Sequence, residues 1–167
     1  MRFSTKQLAL CAVLASLALA LSYMEGMFPP PVPLPGVKLG LANIVSLFAL
    51  CTLGAPYAFA VLLVRVLLGS LFAGNASALI FSLFGGLAAM GVMCLLRRCK
   101  RLSVYGISIG GAAAHNSAQI AAAMLTLGSS APLAYLPALL LVSLFTGALT
   151  GLIAALLLRA VPHSLYS

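Results

Sequence analysis

Seven polar residues stand out in a chain that is otherwise almost wholly apolar: Lys38, Asn43, Arg65, Asn75, His115, Asn116 and Gln119. Their types exclude much chemistry. The chain has nine Lys and Arg against a single acid, Glu25, and no Asp. A pair of carboxylates for acid–base work cannot be assembled, and neither can a carboxylate cage for magnesium. What these residues can do is bind. Lys38 and Arg65 supply positive charge, and the amides and the imidazole supply hydrogen bonds. They fit a small anionic or amphipathic ligand in a pocket walled by Leu, Ile, Phe and Ala. No catalytic residue, cofactor or metal ligand is expected. The four cysteines (Cys11, Cys51, Cys94, Cys99) form no CxxC pair and read as small packing residues. There is no GxxxxGK[ST] nucleotide loop.

The elements that position these side chains follow from composition. The 167 residues are 63% hydrophobic and only 6% charged, with mean hydropathy +1.21. A soluble domain carries about 25% charged residues, so one integral membrane domain over residues 1–167 is expected. The fold class is an all-α membrane protein, a six-transmembrane-helix bundle. Its spans are expected at about 7–24, 38–53, 57–72, 76–96, 102–127 and 134–158, punctuated by the proline run 29–35, Gly54-Ala55-Pro56, Gly74-Asn75, Arg97–Arg101 and Gly128–Pro132. Residues 1–24 imitate a secretory signal peptide, but further apolar spans follow, so 7–24 is read as the first span.

Orientation comes from the cations. With six spans, Arg2, Lys6, Arg97, Arg98, Lys100, Arg101 and Arg159 share one side, and the positive-inside rule makes it cytoplasmic, together with both termini. Nucleic acid is not an expected partner, because the cations sit at span ends. Lys38 is then the outer cation, at the start of the second helix. The helix dipole disfavours a cation there, and an anion in that mouth would resolve the conflict. Asn43 is about 140° around the helix from Lys38, so a shared face requires an irregular first turn. Arg65 falls about 12 Å into the third span, near mid-membrane, where it needs an interior partner. Glu25 is one candidate partner, but its position at the outer boundary requires the cap to fold inward; a bound anion is the other. His115, Asn116 and Gln119 are spaced to share a helix face. Small residues recur at Ala12, Ser16 and Ala20 on the first helix, a spacing that serves internal packing or docking of another membrane subunit.

The stretch Val37-Lys38-Leu39-Gly40-Leu41-Ala42-Asn43-Ile44 after the proline-rich loop, with Ala114-His115-Asn116 further on, resembles a family of small bacterial membrane proteins. They carry two names, Gx transporter and heptaprenyl diphosphate synthase component I. The family is similar to the substrate-binding S components of energy-coupling factor (ECF) transporters. The resemblance implies a multi-pass protein of the bacterial cytoplasmic membrane that captures a small-molecule ligand from outside. It implies partners too: an ECF coupling membrane subunit, docked on Ala12, Ser16 and Ala20, and ATPase subunits. The alternative is a non-catalytic membrane accessory subunit of heptaprenyl diphosphate synthesis, in isoprenoid and quinone metabolism. A stand-alone carrier fits less well, because intramembrane carboxylates for ion coupling are lacking.

Overall fold

A computed structural model describes residues 5–28, 40–74 and 76–161. They form six α-helices: α1 (Thr5–Gly26), α2 (Asn43–Thr52), α3 (Ala55–Ala73), α4 (Ala76–Arg97), α5 (Val104–Leu127) and α6 (Leu136–Ala160), with a 3-10 turn over Ala131–Tyr135 before α6. No strand occurs among the described residues. The all-helical fold follows from long apolar runs broken only by Gly, Pro and charge.

The breaks have local causes. Gly54 takes φ +91°, a backbone state that L side chains avoid, and Pro56 starts α3 with its φ already helical. The Ser103 hydroxyl caps α5 by accepting from the Gly106 amide at 3.3 Å. Arg97 closes α2 from outside its own helix. Its guanidinium donates to the carbonyls of Leu50 and Cys51, two of the orphaned acceptors at the α2 C-terminus. Arg97 is therefore a structural cap as well as a charge at a span end.

Four helical segments, Thr5–Gly26, Ala55–Phe72, Leu79–Arg97 and Ala131–Ala160, are long and apolar enough to cross a bilayer. Large apolar side chains face outward, among them Phe72, Leu125 and Phe145. In water that surface would be an aggregation liability, whereas in lipid it is the expected exterior. α5 is equally long but carries Ser108, His115, Asn116 and Gln119, all buried among its neighbours.

α2 departs from the expected second span at 38–53. Its ten residues rise only about 15 Å, half a bilayer. Asn43 through Leu50 are all buried, and α2 touches each of the other five helices. It is the central post of the bundle. The turn Gly40–Ala42 precedes it, with the Asn43 and Ile44 amides bonded back to the Gly40 and Leu41 carbonyls. Gly40 at φ +85° cannot continue a helix, which is why the element starts inside the apolar run.

α5 and α6 form the tightest pair. Gly147 and Gly151 on α6 lie one turn apart and let the α5 backbone approach: a Cβ at Gly147 would stand 2.6 Å from Ile109 Cα. This is the small-xxx-small device of membrane helices. The hydroxyls of Ser108 and Thr150 bond across the same seam at 2.7 Å.

Candidate functional site

The polar residues gather at the start of α2. Glu25 lies on the last turn of α1 and is only 5% exposed. Spacings of four and then seven residues place Leu14, Ala18 and Glu25 on one inward face of α1, which buries all three. The carboxylate accepts the backbone amides of Gly40 and, at 3.0 Å, Leu41. These are unpaired donors at the entry to α2, where the helix dipole favours negative charge. An anion does occupy this mouth, and it is the protein's own Glu25.

Arg65 completes the arrangement. It is 7% exposed on α3. One terminal nitrogen donates to Asn43 Oδ1 at 3.2 Å, the other to Ser22 Oγ at 3.4 Å. The Glu25 charge also acts on it through space. α1 runs on to Gly26 instead of ending at 24, which brings Glu25 inward onto the α2 entry. Arg65 Nε has no hydrogen-bond partner among the described residues.

α4 and α5 close the site. A Cβ at Gly85 would fall 2.8 Å from His115 Cε1 and 3.1 Å from Gln119 Cγ. A Cβ at Gly40 would lie 2.9 Å from Asn43 Nδ2 and 3.5 Å from His115 Cδ2. Gly85 therefore makes room for the imidazole and the Gln119 stem, and His115 reaches across to the α2 entry. Five helices thus meet in one largely buried cluster: Glu25 and Ser22, Asn43, Arg65, Gly85, and His115 with Gln119.

Of the expected site residues, Asn43, Arg65, His115 and Gln119 come together. Lys38 and Asn75 lie outside the described residues. Asn116 does not join them, a correction to the shared face expected for His115, Asn116 and Gln119. One residue is about 100° of helix rotation, and that turns Asn116 toward α6. Its amide donates to Leu139 O at 3.2 Å and Ser143 Oγ at 2.8 Å. It works as interhelical glue. Asn116→Ala is expected to cost about 0.6–1.7 kcal/mol in mixed-micelle unfolding, the range for such bonds inside membranes. Two residues outside the expected set belong to the cluster. Glu25, named above only as a candidate partner for Arg65, could have been placed on the inward face from its spacing to Leu14 and Ala18, and Ser22 from its position one turn after Ala18. On α1, Ala12, Ser16 and Ala20 are all exposed, so internal packing does not use them.

The bundle and its buried cluster define a multi-pass helical membrane protein without carboxylate chemistry. The chain belongs to the heptaprenyl diphosphate synthase component I family, whose profile matches residues 14–157. No curated protein and no solved structure matched the chain. The one acid of the sequence, Glu25, is bonded to backbone amides.

Proposed function

We propose that the chain is a non-catalytic membrane subunit serving heptaprenyl diphosphate synthesis, in the cytoplasmic membrane of a bacterium with both termini inside. The family match over most of the chain carries this reading. The charge layout supports it. Arg98, Lys100 and Arg101 are exposed beyond the end of α4, on the side where a soluble catalytic partner would dock. The tagged chain, extracted in detergent from its own host, is expected to retain a soluble prenyl synthase. Reversing Arg98, Lys100 and Arg101 to Glu should release that synthase while leaving the bundle folded. Recovery of ATPase subunits with no synthase would overturn the reading.

A second reading, a substrate-binding subunit of an ECF-type importer, draws on two observations. Arg65 Nε is buried without a hydrogen-bond partner among the described residues, and the small-residue face Ala12, Ser16, Ala20 is exposed for another membrane subunit. In this reading Lys38, Asn43, Arg65, Asn75, His115 and Gln119 hold a small anionic or amphipathic ligand from outside. The same purification separates the two, because the importer reading requires a coupling subunit with ATPases in place of the synthase.

A further inference from the structure

A pocket of about 300 Å³ opens at the cationic end of the bundle, where the end of α4 meets the turn between α2 and α3. Leu50 and Ala55 form one side, and Cys94, Arg97 and Arg98 the other. Spacings of three and four residues bring Cys94, Arg97 and Arg98 to one face at the end of α4. Two guanidinium groups therefore line one small pocket.

No acidic side chain neutralises them. Arg97 donates to the carbonyls of Leu50 and Cys51. Those bonds fix the guanidinium in place and leave three of its five donors for another acceptor. Arg98 makes no hydrogen bond or ion pair among the described residues. The one acidic side chain of the sequence, Glu25, is bound at the opposite end of α2, on the amides of Gly40 and Leu41. About 15 Å of helix separates the two ends, beyond the screening length of about 8 Å at physiological salt. The backbone adds charge of the same sign. α3 starts at Ala55 behind Gly54, which has no side chain to cap it, so the positive end of the α3 dipole stands at the same pocket.

We propose that this pocket holds the phosphate of an anionic phospholipid from the leaflet on that side. A phosphodiester has two non-ester oxygens, one for each guanidinium. A zwitterionic lipid carries the same phosphate but adds a cation, which two arginines repel. The surroundings select a lipid over free phosphate. Leu50, Ala55 and Cys94 leave the rest of the pocket apolar, and Leu95, one turn before Arg98, is 62% exposed on the outer surface of α4. A phosphate held by the arginine pair places its acyl chains beside Leu95, toward the hydrocarbon core. Basic pockets between helix ends are a general form of lipid-headgroup site. The site depends on neither reading of the chain's role.

The test is native mass spectrometry of the full chain, purified in detergent and supplied with equal amounts of phosphatidylglycerol and phosphatidylcholine. One phosphatidylglycerol per chain is expected to be retained in preference to phosphatidylcholine. Arg98→Gln should lower that retention about tenfold, the loss of one hydrogen-bonded charge. Lys100→Gln removes the same charge outside the pocket and should leave retention unchanged. Both residues are exposed, so thermal unfolding should match the parent. Inorganic phosphate in large excess should not displace the lipid, because it lacks the acyl chains. Equal retention of the two lipids, equal effects of the two variants, or displacement by inorganic phosphate would each overturn the proposal. Neither synthase nor ATPase takes part in the measurement, so its result is read apart from the choice between the two roles.

Discussion

Gly147→Val is expected to lower the unfolding free energy in mixed micelles by about 3 kcal/mol, the upper end of the range for overpacking. The reason is what the new side chain meets. A Cβ at Gly147 would lie 2.6 Å from Ile109 Cα, 3.1 Å from Ile109 N and 3.2 Å from Ala112 Cβ. Two of these are backbone atoms, which no rotamer change can move. α5 and α6 must then separate along the seam that also carries the Ser108–Thr150 and Asn116–Ser143 bonds. Those bonds lengthen together, so the damage is not confined to one contact. Gly91→Val is the matched control. A Cβ at Gly91 has nothing within 4 Å, and an outward helix position of this kind is expected to change stability by no more than about 0.5 kcal/mol. Equal losses at the two positions would mean that helix propensity, rather than the α5–α6 approach, governs the effect.

The same seam marks where sequence reasoning stops. Apolar runs and their Gly and Pro breaks delimit every helix but α2 to within two residues, because lipid leaves the backbone no alternative to internal hydrogen bonding. Which small residues make close contacts is not written in the spacing. Ala12, Ser16 and Ala20 repeat every four residues and stay exposed, whereas Gly147 and Gly151 have the same spacing and touch backbone. Depth is equally hidden. An apolar helix buried on all sides and one that crosses lipid have the same composition, so α2 reads as a full span until Gly40 sets its start inside the run. Glu25 is obscured for a related reason. The proline run that follows suggests a loop, but the face shared with Leu14 and Ala18 continues one more turn. The convergence of Arg65 with His115 and Gln119 is legible because charge and amides are expensive in a bilayer and must meet other polar groups.

That expense makes Arg65 and Glu25 the other pair of positions with a large expected effect. Arg65→Leu removes the donor to Asn43 and Ser22 and leaves the Glu25 charge buried without its nearby cation. Removing one partner of a buried pair costs about 3–5 kcal/mol, chiefly through the charge left behind. Glu25→Gln is milder. The amide oxygen still accepts from one of Gly40 and Leu41, while the other amide and the dipole of α2 lose their anion, at about 1–3 kcal/mol. The double variant should lose less than the sum of the two, because the neutral side chain that replaces Glu25 no longer needs a cation. A coupling of about 0.5–3 kcal/mol in that double-mutant cycle is the expected result. Additive losses would mean that Glu25 and Arg65 serve separate sites and that the five helices are joined through Asn43 alone. Arg65→Lys refines the test. It keeps the charge for Glu25 but lacks the fork that reaches Asn43 and Ser22 together, so its stability should fall between the parent and Arg65→Leu. A lysine variant as damaged as the leucine variant would place the energy in the two hydrogen bonds, with the charge contributing little.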